Sequence, residues 1–190
     1  MRITLEDKGT GLTSRPQSVS ESPAIENGGP REGRPRDVIS MRFLREVRVA
    51  ITADQDIVTA RKRGERISRD VGFSSPDPTF IATAISELAR NIVRYATRGE
   101  VILRVIENET TLGIEVVAVD KGPGIRDVAL AMVDGYSTSG SLGLGLAGVS
   151  RLMDDFEIKS ASGRGTIVTT RKWRRLRMPE PGPPDLRTQG

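Results

Sequence analysis

The chain has no cysteine and no histidine among its 190 residues. The lack of cysteine excludes disulfides, thiolate metal sites and thiol catalysis. The lack of histidine excludes a Ser-His-Asp triad, most zinc sites and a phosphoaccepting histidine within the same chain. Aromatic residues make up only 4% of the sequence and are not interleaved with its clustered charge. The chain therefore offers no stacking platform for nucleic-acid bases.

Targeting and membrane-spanning segments are also missing from the sequence. The N-terminal stretch lacks the apolar core of a secretory signal, and no later stretch is long and apolar enough to cross a bilayer. We therefore expect a cytoplasmic protein without a membrane partner.

Positive charge is in excess, with a formal net charge of +4 and a sequence pI near 9.8. Much of this excess is clustered at residues 42–48, 61–63 and 171–177. Clustered cations can bind phosphate backbones without sequence preference. Without interleaved aromatics, however, we favour a solvated face that helps to dock an acidic protein, and we expect no nucleic-acid partner.

The length of the chain suits one domain with a substantial core. Residues 1–40 mix Ser, Pro, Gly, Glu and Arg with hardly any apolar periodicity, and the tail contains the run Pro-Glu-Pro-Gly-Pro-Pro. We predict a disordered N-terminal extension over residues 1–40, a folded domain over 41–175 and a disordered Pro-rich tail over 176–190.

Periodicity within the domain predicts an α/β fold, with a mixed, mostly antiparallel sheet and helices on one face in a two-layer sandwich. Strands are predicted at 46–51, 100–107, 112–119, 156–160 and 166–173, and helices at about 54–69, 79–96, 127–133 and 143–153. Residues 134–142 are rich in Gly, Ser and Thr and hold little that can pack, so we predict a mobile lid there.

Two polar residues interrupt the apolar helix predicted at 79–96. Glu87 and Asn91 lie one turn apart and project from the same face. Such a pair usually belongs to a solvated face, but unpaired polar groups on an otherwise apolar helix carry a burial cost unless something binds them. The pair is suited to a general base beside a metal ligand.

The second motif, Asp120-Lys-Gly-Pro-Gly124, ends an apolar strand in a carboxylate. The two glycines, Gly122 and Gly124, let the backbone pass close to a planar group while Asp120 accepts its amino protons. This arrangement predicts an adenine pocket.

The third motif, Gly143-Leu-Gly-Leu-Gly-Leu-Ala-Gly148, follows the lid and opens a helix. Free backbone amides at a helix start favour an anion, which predicts a triphosphate site. The glycines also fit the dinucleotide fingerprint by letter. They follow a loop rather than a strand, however, and no acidic residue stands about twenty positions further on, so a Rossmann fold is rejected. A P-loop sequence is lacking too.

The order of these motifs resembles the Bergerat-fold (GHKL) ATP-binding superfamily. Within it, the chain resembles the RsbT-type switch serine/threonine kinases of bacterial stressosome and partner-switching modules. The segments that carry this resemblance are residues 87–92, 134–140 and 148–154, and the similarity runs from about Arg48 to Trp173. Self-phosphorylating sensor kinases of the superfamily are excluded because the chain has no histidine.

The resemblance implies ATP and Mg²⁺ as cofactors and a role for each motif. Glu87 is then the catalytic base, Asn91 the Mg²⁺ ligand, Asp120 the reader of the adenine amino group, and Thr166 a hydroxyl that supports Asp120 and the base. The remaining nucleotide-binding residues would be Gly122, Gly124, Ile125, Ser137, Thr138, Ser139, Gly140, Leu142, Gly143, Gly145 and Leu146.

The same resemblance implies phosphorylation of a STAS-domain antagonist protein, a larger STAS-containing stressosome scaffold as a partner, and a PP2C-type phosphatase that the released kinase activates. Two alternatives stay open: an anti-sigma-factor kinase that binds a sigma factor directly, and a nucleotide-gated binding module with little kinase activity. A conformational ATPase is disfavoured because the sequence holds no candidate transducing domain.

One departure from the anti-sigma-factor kinases concerns charge. Those kinases commonly place a basic residue in or beside the lid, whereas residues 134–150 contain neither Lys nor Arg. This favours the switch kinases over direct sigma-factor binders. Arg90 and Arg94 are candidates to meet the γ-phosphate charge, although exposed structural arginines are the favoured interpretation.

Overall fold

A six-stranded sheet frames the structure, a computed structural model that describes residues 2–4, 41–133 and 144–176. Its spatial order is β1-β5-β6-β4-β3-β2. The β1–β5 pair is parallel and the other four pairs are antiparallel, which agrees with the predicted mixed, mostly antiparallel sheet. The strands are β1 (Arg2–Thr4), β2 (Arg42–Ile51), β3 (Gly99–Glu107), β4 (Thr111–Asp120), β5 (Asp155–Ala161) and β6 (Gly165–Arg175).

The helices pack against one face of this sheet and enclose the core. They are α1 (Asp54–Asp70), α2 (Asp77–Asn91), α3 (Val128–Ala131) and α4 (Gly145–Leu152), with a π-helical turn at Ile92–Ala96 directly after α2. Alternation along the strands sends Val101, Leu103 and Val105 of β3 into the core, where they join Ile85 and Leu88 of α2. Each fully buried aliphatic side chain of this kind stabilises the fold by about 1.5–3 kcal/mol. Among the described residues, no helix is long and apolar enough to cross a membrane.

The opposite face of the sheet carries a network of ion pairs. Glu115 is only 3% exposed and accepts hydrogen bonds from Arg104 (3.0 Å) and Arg171 (2.8 Å). Arg104 continues the network to Glu46, and hydrogen bonds from Arg104 and Arg48 lower the pKa of Glu46. The two faces therefore differ in chemistry, and the apolar face is the one that holds helices.

Several predicted element boundaries need correction. The first long strand starts at Arg42 rather than Glu46, because pairing with β3 continues past an irregularity at Phe43 that breaks the alternation in the sequence. The second α-helix runs from Asp77 to Asn91 rather than from Thr79 to Ala96, since its last turn is π-helical.

The N-terminal end of the chain also differs from the prediction. Residues 2–4, predicted to be disordered, form β1 and extend the sheet at β5. The other residues of the predicted extension, and the tail after residue 176, lie outside the described residues.

Candidate active site

The helix α2 presents the first pair of predicted site residues. Asp77 lies in its first turn and Pro78 at its start, both favourable at a helix N-terminus. Its apolar face enters the core and leaves Glu87 only 9% exposed, with Asn91 at the last helical position. Both residues line the same cavity.

Arg90 contacts Glu87 directly. Its Nη1 donates a hydrogen bond to Glu87 Oε1, and the guanidinium also lines the cavity. The Arg90 side chain is 46% exposed, as an exposed structural arginine would be, and it also lines the cavity beside the proposed base. One Glu87 oxygen therefore engages Arg90, while the carboxylate keeps further lone pairs that can accept a substrate proton.

The π-helical turn brings further side chains to the cavity. Arg94 and Tyr95 both line it, with the Arg94 guanidinium 5.9 Å from the centroid of the Tyr95 ring. The turn ends at Thr97, whose φ of 65° is unusual for a β-branched residue. Single π turns inside helices are frequent at functional sites. Sequence periodicity predicted an ordinary helix here, because a π turn changes backbone hydrogen bonds and leaves little trace in side-chain pattern.

Three polar residues lie side by side at one end of the sheet. Asp120 of β4 is paired with Thr166 of β6, and Thr166 with Ser160 of β5. The three residues lie directly opposite one another on neighbouring strands and so form one rung of the sheet. Side chains on one rung project from the same face, here the face that packs against the core. Asp120 and Thr166 line the cavity. The Thr166 hydroxyl lies 3.0 Å from Ser160 Oγ, and its support of Asp120 and the base stays a prediction.

The loop after Asp120 is held by close backbone contacts. The Gly122 amide donates to Asp120 Oδ1 at 2.8 Å, and the Ile125 amide donates to Ser160 Oγ at 2.9 Å. Gly124 has φ +71°, and a Cβ there would lie 2.0 Å from the Ala161 carbonyl oxygen. Only glycine fits at that position.

One cavity of about 820 Å³ collects most of the predicted residues. Gly122 is the exception among those in the described ranges, because it packs against Ala96 of the π turn instead. The predicted residues that line the cavity are Glu87, Asn91, Asp120, Gly124, Ile125, Gly145, Leu146 and Thr166. Those of the predicted lid and triphosphate site, Ser137, Thr138, Ser139, Gly140, Leu142 and Gly143, lie outside the described residues.

Some site residues escaped prediction. Tyr95, Leu130 and Val133 line the cavity, and nothing in the pattern around them marks a ligand contact. Ser160 did leave a signal, since it stands at an inward position of an alternating strand where an apolar residue is expected.

The cavity suits a nucleotide with a divalent cation. Its volume falls in the range of ligand pockets, one wall carries the polar rung, and Arg90, Arg94 and Arg126 line it as well. Within the described ranges, no group of three acidic side chains could hold a metal alone. Mg²⁺ commonly uses few protein ligands together with substrate phosphates and waters, so a single amide oxygen from Asn91 fits this cation.

Comparison with known proteins gives a consistent picture. The family described as "Histidine kinase-like ATPase domain" matches residues 50–172, well over half of the chain. The serine/threonine-protein kinase RsbT of Bacillus subtilis (strain 168) is 46% identical over 127 residues, covering 67% of this chain and 96% of that protein. An anti-sigma F factor of Caldanaerobacter subterraneus subsp. tengcongensis is 32% identical over 108 residues, covering 51% of this chain and 74% of that protein.

Among solved structures, the RsbU and RsbW domains of Rv1364c from Mycobacterium tuberculosis align with a TM-score of 0.47 and 20% identity, over 70% of this chain and 34% of that one. The predicted superfamily is confirmed by the family match and by the sequence relatives. The chain belongs to the histidine kinase-like ATPase domain family and, within it, is a protein serine/threonine kinase of the RsbT type.

Proposed function

We propose that this kinase transfers the γ-phosphoryl group of ATP, with Mg²⁺, to a serine or threonine of a STAS-domain antagonist protein in a cytoplasmic partner-switching module. The observation that carries the proposal is the convergence of Glu87, Asn91 and Asp120, from one helix and one strand, on a single cavity. A larger STAS-containing stressosome scaffold and a PP2C-type phosphatase are its further proposed partners. Similarity to RsbT supports this module.

Phosphoryl transfer depends mainly on positioning and charge neutralisation. Bound Mg²⁺ would supply the charge that draws electrons from the γ-phosphate, and Asn91 would hold it through the side-chain oxygen. Asp120 would accept hydrogen bonds from the adenine amino group and so orient the nucleotide. Glu87 would take the proton of the incoming hydroxyl.

Arg90 brings positive charge to both the proposed base and the proposed nucleotide site. In the structure its guanidinium is held by Glu87, and the sequence of the predicted lid contains no lysine or arginine. Phosphate oxygens in the same cavity would compete for the guanidinium, which binds phosphate in a fork geometry. Arg90 would then neutralise phosphate charge, and Glu87 would offer both carboxylate oxygens to the acceptor hydroxyl.

A second candidate function is direct binding of a sigma factor, favoured by the similarity to anti-sigma F factors. The two functions differ in what is captured and what is modified. A switch kinase phosphorylates its STAS partner without holding a sigma factor, whereas an anti-sigma kinase forms a stable complex with one.

Phosphotransfer to purified STAS-domain proteins tests the proposal. The protein is incubated with ATP, Mg²⁺ and a panel of such proteins, and phosphorylated residues are identified by mass spectrometry. Glu87→Gln should lower transfer by roughly two to four orders of magnitude and keep ATP binding, since that is the usual worth of a positioned base. Glu109→Gln is the matched control, because Glu109 is exposed in the β3–β4 turn and does not line the cavity.

Transfer to a STAS protein that Glu109→Gln preserves and Glu87→Gln loses would support the proposal. Equal rates in wild type and Glu87→Gln would remove Glu87 from the chemistry. Absence of transfer to any STAS protein, together with a stable complex with a sigma factor, would favour the second function.

A further inference from the structure

The hydroxyl of Ser160 makes three polar contacts at once. Ser160 is buried on β5. Its Oγ lies 2.9 Å from the Ile125 amide nitrogen, 2.9 Å from the Gly165 carbonyl oxygen and 3.0 Å from Thr166 Oγ1. The hydroxyl therefore ties the loop after Asp120 to the β5–β6 hairpin beneath the cavity.

Only one placement of the hydroxyl protons turns all three contacts into hydrogen bonds. A serine hydroxyl has one proton and two lone pairs. The Ile125 amide can only donate and the Gly165 carbonyl can only accept, so the single Ser160 proton must go to Gly165. Thr166 must then donate its own proton to Ser160. The Thr166 oxygen is left with lone pairs alone for the cavity.

Asp120 adds a second acceptor beside Thr166. The two residues are cross-strand partners on one rung and both line the cavity. One oxygen of the Asp120 carboxylate accepts the Gly122 amide, and an ionised carboxylate has no proton to donate. The two described side chains of this wall, Asp120 and Thr166, therefore offer acceptors and no donor to the cavity.

We infer that Ser160 is a specificity-determining positioning residue: by taking the Thr166 proton, it makes this wall select a purine with an amino group at position 6 over one with an oxo group. The inference rests on the nucleotide site of the proposed function. An amino group donates to both acceptors, whereas a 6-oxo group places its lone pairs against theirs. A buried polar group that faces a partner of the wrong polarity weakens binding strongly.

The test compares the affinities of ATP and ITP, which differ in hydrogen-bond polarity along this edge of the base. The wild-type protein should prefer ATP by on the order of 100-fold. In Ser160→Ala the Thr166 hydroxyl is free to rotate and donate to the 6-oxo group, so the preference should fall to on the order of 10-fold or less. The readout is the ratio of the two dissociation constants from competition with a fluorescent nucleotide.

Thr166→Val provides a second variant that removes the hydroxyl without touching Ser160. It should lower the same ratio, and the double variant should match Thr166→Val alone, because Ser160 acts on the ratio through Thr166. A Ser160→Ala protein that binds both nucleotides more weakly but keeps the wild-type ratio has lost only a structural contact and overturns the inference. An unchanged ratio in Thr166→Val overturns it as well.

Failure of the proposed function has a different signature. In that case the wild-type protein binds neither ATP nor ITP, and the inference is lost with the site. Binding of ATP by the wild-type protein, with a ratio that does not depend on Ser160 or Thr166, leaves the kinase proposal standing and rejects this inference alone.

Discussion

At the scale of single residues, the contact between Arg90 and Glu87 is the one with the most direct consequence for catalysis. The sequence places these residues three positions apart, and the helix turns that spacing into an ion pair inside the cavity. Because the Arg90 side chain is half exposed and both residues lie on one helix, the pair contributes little to stability. The contact matters for catalysis because we propose that Arg90 meets the phosphates of the nucleotide and that Glu87 takes the proton of the acceptor hydroxyl.

Arg90→Gln should lower the rate of phosphoryl transfer at saturating ATP by roughly 100- to 1000-fold, the range that loss of one preorganised donor to a developing charge produces in other transition states. Arg90→Lys should recover part of the rate, because it keeps the charge and loses the fork. Single-turnover transfer with the phosphoacceptor protein measures this effect. Arg63→Gln, on the exposed side of α1, is the control. A rate in Arg90→Gln equal to or above that of wild type would mean that Arg90 only restrains Glu87.

At the scale of elements, α1 and α2 approach each other closely at Gly64. A Cβ added there would lie 2.0 Å from Ile85 Cδ1, and Ile85 is fully buried. An exposed Gly→Ala change in a helix normally stabilises by about 1 kcal/mol. Here the added methyl group forces overpacking of the core.

Gly64→Ala should therefore destabilise the domain by about 1–3 kcal/mol. Ile85→Val removes the Cδ1 atom that the new methyl group meets, so the double variant should be more stable than additivity of the single changes predicts. Urea unfolding of the four proteins measures the coupling. Additive losses would show that the helices separate instead of clashing at this contact.

The start of α1 depends on a carboxylate. Asp56 accepts hydrogen bonds from the Thr52 amide, the Thr52 hydroxyl and the Ala53 amide. These bonds lower the pKa of Asp56 below its usual value of 3.8, with the Thr52 amide as the largest cause. A lowered pKa in the folded state gives stability that is present above the unfolded pKa and is lost as pH falls through the folded pKa.

Asp56→Ala should therefore have a lower melting temperature than wild type at pH 7, and the difference should shrink as pH falls below 3.8, the usual value for this group. Asp56→Asn keeps one acceptor oxygen without a titrating charge, so its own difference from Asp56→Ala should vary less with pH. Melting temperatures of the three proteins between pH 7 and pH 3 measure the effect. A difference between wild type and Asp56→Ala that persists undiminished to pH 3 would contradict this role.

The elements also show how far the sequence alone could lead. Apolar alternation located the central strands, and the motif order located Glu87, Asn91, Asp120 and Thr166, which do meet at one cavity. The β1 strand was missed because its pairing is with β5, far away in sequence, and three residues carry no periodic signal. The bond between Thr166 and Ser160 was missed for a related reason, because hydrogen-bond direction depends on neighbours across strands.

At the scale of the whole molecule, the sheet keeps the arginines that line the cavity apart from Arg175, which lies at the far end of β6. The rung of Asp120 and Thr166 lies at one end of the β4–β6 pair, and Thr111 and Arg175 lie at the other. The two ends are nine positions apart along each strand, which corresponds to about 30 Å. Charge near the first end acts at the cavity, whereas charge at the second end acts only through the overall field of the protein.

The π turn divides the arginines near the cavity into two groups. Arg90, Arg94 and Arg98 are spaced four residues apart, but the α-helix gives way to the π turn, which ends at Thr97. Arg94 lines the cavity and Arg98 does not. Arg98 is exposed just beyond the turn, so it is the better placed of the two to meet an approaching acidic protein without touching the nucleotide.

Arg98→Glu should therefore slow association with the phosphoacceptor protein by roughly 10-fold at low salt and blunt the salt dependence, because rim charges mainly affect association rates. ATP affinity should stay close to wild type, whereas Arg94→Glu should weaken ATP binding. Arg175→Glu is the matched control: it makes the same change in formal net charge, from +4 to +2, at the far end of the sheet. Stopped-flow association at several salt concentrations distinguishes the two positions. Equal slowing by Arg98→Glu and Arg175→Glu would assign the effect to net charge alone and leave the docking surface elsewhere.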